Sequence, residues 1–148
     1  MQSMNIHLWL EARTRFSNLL GSISKDDVHK RIGDCPNSAG FLIRHVADVE
    51  LLFSKNVFGQ KELKVSAKTV IAQKDTGEWT DLEELLIYQQ HAFDMLKSGI
   101  LSQTEADWQR EITTKEFGTK TLAEALGRIV SHTAYHAGQL AIILKYGK

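Results

Sequence analysis

An all-α fold, a four-helix bundle, is predicted by three observations. The chain has 148 residues and a single proline, and so few helix breakers favour long uninterrupted helices. Four segments repeat apolar residues at helical spacing. Two of them open on a hydroxyl residue with glutamate three positions on, the arrangement of a capping box. A chain of this length suits one domain with a real core, spanning residues 1–148.

The first helix is expected from about Asn5 to Leu20, with Ile6, Trp9, Arg13, Phe16 and Leu20 along one side and Gly21 near its end. A short piece follows at Ser24 to Ile32, where Ser24 and Asp27 stand at capping-box spacing. The second helix starts at Asn37 or Ser38, either of which can cap it, and stops at about Val57, before Gly59. Phe41, Leu42, His45, Val49, Leu52, Phe53 and Asn56 share one broad face. Arg44, Ala47, Asp48, Ser54 and Lys55 fall off it, and Glu50 points further out.

The third helix is expected to open at Thr80, with Glu83 completing its box and Leu82, Leu86, Gln89, Phe93 and Leu96 on one face. The fourth opens at Thr121 with Glu124, and runs through Leu122, Leu126, Ile129, Thr133, His136, Leu140 and Leu144. Two connections are long, about Phe58 to Trp79 and Gly99 to Lys120. Each needs a reason, and a crossover between parallel helices is one. "QREITTKEFGTKT" in the second has β character and suits a small hairpin or a pocket rim.

Charge and cysteine narrow the function classes. Lys plus Arg equals Asp plus Glu at 18 each, which argues against nucleic acid as the main partner, because that affinity needs excess cationic charge. The lone Cys35 allows no intramolecular disulfide and reads as an ordinary loop thiol. Neither a signal peptide nor a membrane span is read, so a reducing cytoplasm is the expected setting.

The chemistry concentrates in histidine. His7, His29 and His91 fall on polar sides or in a connector and read as surface residues. His45 sits mid-helix among apolar residues, so it must be hydrogen-bonded, neutral or bound. His132 and His136 are one helical turn apart on one side, a spacing that can chelate a metal. On spacing alone the pair reads slightly better as two core-edge histidines satisfied by polar neighbours. His45 changes that balance. If the second and fourth helices are antiparallel neighbours, His45 lies ~18 Å from the end of its helix, and the pair ~17 and ~22 Å from the start of theirs. All three then share one depth. Three neutral imidazoles suit a borderline divalent metal such as zinc, nickel or iron(II). Three ligands and an open position are the pattern of a catalytic site.

"SHTAYHAGQLAIIL" resembles the H-x-x-x-H-x-G-Q signature of the DinB/YfiT-like superfamily of metalloenzymes. "NSAGFLIRHVADVELLF" looks like that family's second helix with its single metal histidine. The resemblance implies a four-helix bundle of up-down-down-up topology with long crossover connections. It also implies a divalent metal held by His45, His132 and His136. The family's Gly-Gln falls on Gly138, which would allow close helix packing, and Gln139, which reads either as orienting a ligand or an outer-shell water or, at least as well, as an ordinary glutamine at the bundle edge.

The family implies several activities. Related members transfer low-molecular-weight thiols such as bacillithiol or mycothiol, and one branch isomerises maleylpyruvate. Others resemble metal-dependent hydrolases. The leading expectation is a metal-dependent thiol S-transferase acting on a small electrophilic substrate, with the thiol as co-substrate. No general base is evident from the sequence, and a thiolate needs one less than hydrolysis does. The alternatives are a hydrolase using metal-bound hydroxide, and a non-catalytic bundle that binds a ligand or partner. Substrate choice is expected from helix one and the two long connections, with Trp9, Arg13, Trp79, Trp108 and Tyr135 as possible pocket residues. Relatives of this kind often pair, so a homodimer is expected, with no role for nucleic acid or membrane.

Overall fold

The computed structural model describes residues 3–148. The protein is mostly helical: α1 (Met4–Leu20), α2 (Ala39–Asn56), a short α3 (Lys68–Ala72), α4 (Leu82–Leu101) and α5 (Leu122–Tyr146). Short 3-10 turns occupy Lys25–His29 and Ala106–Gln109. Strands β1 (Glu111–Thr114) and β2 (Gly118–Thr121) form an antiparallel hairpin, with Glu111 opposite Thr121. The all-α expectation is corrected to that extent: the stretch with β character is a two-stranded sheet. No helix among the described residues is long and apolar enough to cross a membrane.

Capping chemistry sets the helix starts. The Ser3 side chain accepts from Asn5 N–H at 3.2 Å, and Ser38 caps α2 by accepting from Phe41 N–H at 3.1 Å. Thr121 and Glu124 form the expected reciprocal box at the start of α5. In the connector, Asp27 accepts from Ser24 N–H at 2.8 Å. The start of α4 differs from expectation. Its cap is Asp81, which accepts from Glu84 N–H at 3.0 Å, so Thr80 lies outside the helix. Both positions carry the same residue spacing, and the Asp carboxylate is the stronger cap and complements the helix dipole.

Two apolar clusters fill the interior. One gathers Ile6 and Trp9 of α1, Val49 and Phe53 of α2, Leu96 and Ile100 of α4, and Leu122 to Ile129 of α5. The other gathers Phe16 of α1, Leu42 and Val46 of α2, Leu85 of α4, and Leu140 and Ile143 of α5. Burying each such side chain contributes roughly 1.5–3 kcal/mol. On α5, His132 and His136 fall in sequence between the two sets, whereas on α2 His45 lies within the second, between Leu42 and Val46.

Helix α2 runs through the middle, against α4 on one side and α5 on another, with α3 and the first 3-10 turn also on it. It therefore has little solvent face, and the one-sided reading of its sequence fails. Ala47, Asp48, Glu50 and Ser54, all expected off the core face, are fully buried. Asn56, expected on it, is exposed. Gly40, in its first turn, permits this crowding: a Cβ there would stand 1.9 Å from the Trp79 carbonyl oxygen. Gly138 is different. It is exposed and an added Cβ meets nothing within 4 Å, so no helix among the described residues packs closely on it.

Candidate metal centre

His45 projects from α2, and His132 and His136 project from successive turns of α5. One ring nitrogen from each lies within 4.8 Å of the other two. His45 Nε2 and His132 Nε2 are 3.2 Å apart. The His132 and His136 rings meet edge-on with centroids 4.5 Å apart. Phe41, one turn before His45, stacks nearly parallel on its ring. All three imidazoles are half-buried, and the other histidines are exposed, as their positions predicted.

The surroundings keep the three rings neutral. Burial, then the nearby His136, pulls the His45 pKa down to about 4, with Asp48 opposing. Burial, His136, His45 and Arg128 take His132 to about 3. His136 is also lowered by burial, partly offset by its bond to Gln139. A neutral imidazole retains a lone pair for ligation, which its protonated form lacks.

The outer partners differ from ring to ring. His136 Nδ1 pairs with Gln139 Oε1 at 2.7 Å, so Gln139 contacts a histidine directly. His45 Nδ1 pairs with Thr69 Oγ1 at 3.0 Å. Thr69 lies in α3, inside the first long connection. Its hydroxyl donates to Asp48 at 2.6 Å, and Asp48 also accepts from Tyr88 and Arg44. His132 Nδ1 is buried without a hydrogen-bond partner among the described residues. Thr69, Asp48 and Tyr88 were not found from sequence. Asp48 is one turn after His45, but its burial depends on tertiary packing; only the length of the connection hinted at Thr69.

The residues fit a divalent transition metal. Nitrogens bound to one ion at about 2.0–2.1 Å stand about 3.3 Å apart in tetrahedral geometry, close to the 3.2 Å between His45 and His132. Imidazole nitrogen suits zinc, nickel and iron. No fourth side chain completes the set among the described residues.

A cavity of about 290 Å³ opens beside His132, lined by Val49, Phe53, Glu116, Arg128, Ser131 and Tyr135. The hairpin of the second long connection thus supplies part of the rim, as expected, through Glu116, which lies 3.9 Å from Arg128. Helix one does not line this cavity. Of the proposed pocket aromatics, Trp9 and Trp108 are core residues. Trp79 packs against Arg44, and Tyr135 is exposed with its ring edge-on to His136. Arg13 is held in a buried ion pair with Glu50.

Fold and site together define a class: a mostly helical protein with a cluster of three neutral histidines suited to a metal ion. The profile of the DinB superfamily matches residues 8–140, and the chain belongs to that family. Among solved structures, a DinB-like protein from Bacillus subtilis aligns with TM-score 0.70 at 20% identity, covering 97% of this chain and 91% of that one. A mycothiol-dependent maleylpyruvate isomerase aligns with TM-score 0.69 at 18% identity, over 92% of this chain. This chain spans only 59% of that isomerase. A conserved protein from Enterococcus faecalis aligns with TM-score 0.67 at 15% identity, covering 98% and 96%. These likenesses show the fold. No curated protein matches the chain.

Proposed function

We propose that the protein is a metal-dependent enzyme that joins a low-molecular-weight thiol to a small electrophile. The observation that carries this reading is the convergence of three neutral imidazoles, with no fourth protein ligand among the described residues, beside an open cavity. Three protein ligands are the catalytic pattern, where structural sites close with four. A zinc, nickel or ferrous ion held by His45, His132 and His136 supplies positive charge that lowers the pKa of a thiol bound there. The chain's own residues orient and enclose: Thr69 and Gln139 hold two of the rings, and Val49 and Phe53 give the cavity an apolar wall.

Transfer is favoured over hydrolysis by the fate of the two buried carboxylates of α2; the cavity's own carboxylate, Glu116, sits at its rim, 3.9 Å from Arg128. Asp48 is committed to Thr69, Tyr88 and Arg44, and Glu50 to Arg13. Neither is free to take a proton from water, and a thiol under a metal's charge ionises without a protein base. The thiol dependence of the similarly folded isomerase supports the same reading.

Three further features complete the proposal. We read the four long helices as up-down-down-up. The start of α1 and of α5 shares a cluster with the end of α2 and of α4, and the other cluster holds the opposite ends, which supports this order. Two copies pair through the outer side of α5, where Tyr135, Ile142 and Tyr146 stand exposed. The exposed lone Cys35 suits a reducing cytoplasm.

The test is metal analysis of tag-free protein, followed by a panel of thiols and electrophiles. About one divalent metal per chain and turnover that requires added thiol are expected. Turnover unchanged without any thiol would point to hydrolysis. Protein that takes up no stoichiometric metal even after reconstitution would leave a ligand-binding bundle.

A further inference from the structure

We infer that Asp48 and Thr69 form a relay that fixes His45 as its Nδ1–H tautomer and turns the Nε2 lone pair toward the other two histidines; its use in holding a metal rests on the reading above. The direction of the relay is set at its far end. Asp48 Oδ2 accepts from Thr69 N–H at 3.1 Å and from the Thr69 hydroxyl at 2.6 Å. Asp48 Oδ1 accepts from Arg44 Nε at 2.9 Å and from the Tyr88 hydroxyl at 2.5 Å. The carboxylate is fully buried, so these four donors, rather than solvent, satisfy it.

An ionised carboxylate can only accept, and a hydroxyl has one proton to give. The Thr69 proton goes to Asp48. The Thr69 oxygen, 3.0 Å from His45 Nδ1, can then only accept from the ring. A neutral imidazole carries one N–H. That hydrogen is on Nδ1, and Nε2, the atom 3.2 Å from His132 Nε2, is bare.

The same relay explains the length of the first connection. Segment 58–81 brings α3 onto α2, so that Thr69 reaches both His45 and Asp48. The Ser66 carbonyl in that segment holds Arg44 at 2.9 Å, and the guanidinium stacks on Trp79 and Tyr88. The cation paired with Asp48 is thereby immobilised. Gln139 beside His136 works differently. A side-chain amide can rotate to offer oxygen or N–H, so it suits either tautomer. A relay ending in a carboxylate cannot reverse. Thr69 and Asp48 are positioning residues for His45.

The test reads the tautomer directly. Two-bond ¹H–¹⁵N correlation spectra of metal-free protein at neutral pH should show His45 protonated on Nδ1 in the wild type and in Thr69→Ser. Thr69→Val removes the acceptor, and Nε2–H should become populated. Asp48→Asn can donate its amide to Thr69 Oγ1 and reverse the relay, so His45 should switch to Nε2–H. A residue that merely packs would move neither. In zinc titrations of the same proteins, Thr69→Val and Asp48→Asn should bind about 10–100-fold more weakly than wild type, the usual loss for an outer-shell partner, while Thr69→Ser stays close to it.

Wild-type His45 found with its proton on Nε2, donating to His132, would overturn the relay. So would Thr69→Val that keeps both the Nδ1–H tautomer and full zinc affinity. The wild-type and Thr69→Ser spectra decide the assignment even where the other variants fail to fold. Wild-type protein that binds no zinc would overturn the metal reading, while the metal-free spectrum still decides the tautomer.

Discussion

Arg13 and Glu50 form a two-pronged ion pair inside the protein, with Arg13 Nε 2.8 Å and Nη2 2.9 Å from the two carboxylate oxygens. Arg13 is 4% exposed and Glu50 0%. Gln89 accepts from the same guanidinium and Ser17 takes a further donor, so α1, α2 and α4 are tied at one point. Breaking such a pair leaves an uncompensated buried charge, at a cost of about 3–5 kcal/mol, whereas replacing both partners by apolar residues is often neutral. Glu50→Gln should therefore destabilise the protein by several kcal/mol, and the Arg13→Met, Glu50→Leu double variant by clearly less. Urea unfolding of both variants checks this. Equal losses would mean that the pair matters for its packing rather than its charge.

Metal affinity should depend on all three imidazoles together. His45→Ala, His132→Ala and His136→Ala each remove one donor of three. Each should weaken zinc binding by more than the roughly 10–100-fold that loss of an outer partner costs. Competition with a chromophoric chelator measures it. His91→Ala, at an exposed position on α4, serves as the control and should bind as wild type. A His132→Ala protein of unchanged affinity would remove His132 from the ligand set.

Two glycines should respond in opposite directions to the same substitution. Gly40→Ala pushes a methyl onto the Trp79 carbonyl, where backbone must move, and overpacking of this kind costs about 1–3 kcal/mol. Gly127 lies in α5, exposed, with nothing within 4 Å of an added Cβ. Gly127→Ala should stabilise by up to about 1 kcal/mol, the helix-propensity difference. Denaturation midpoints report both signs.

The contrast between these positions shows what the sequence made legible. The three histidines were readable because each interrupts an apolar helical pattern, and His132 and His136 stand at a spacing that brings side chains together. The capping boxes at Ser24 and Thr121 were readable because they are local, although α4 is capped by Asp81 rather than Thr80. Asp48 and Glu50 were misplaced because periodicity assumes one buried face, and α2 is enclosed on several sides. Thr69 was hinted at only by the length of its connection. Its role depends on a tertiary contact across 24 residues, which neither composition nor spacing encodes.

Acid should unfold the metal-free protein more steeply than its carboxylates alone require. His45 and His132 are held at about 4 and 3 by burial and by their neighbours, against an ordinary value of 6.5. Below that value the unfolded chain binds protons that the folded rings refuse, so stability falls as pH drops from about 7 toward 4. By pH 5.5 the linkage amounts to about 1 kcal/mol for each ring, with His136 shifted in the same direction. Urea midpoints of chelator-treated protein at pH 7.5 and 5.5 measure the slope. A His45→Gln, His132→Gln double variant has no ring to charge at either position and should lose distinctly less stability over the same interval. If wild type and double variant lose the same amount, the two rings are not held neutral by the fold. Bound zinc should steepen the wild-type dependence further, because protons and metal then compete for the same nitrogens.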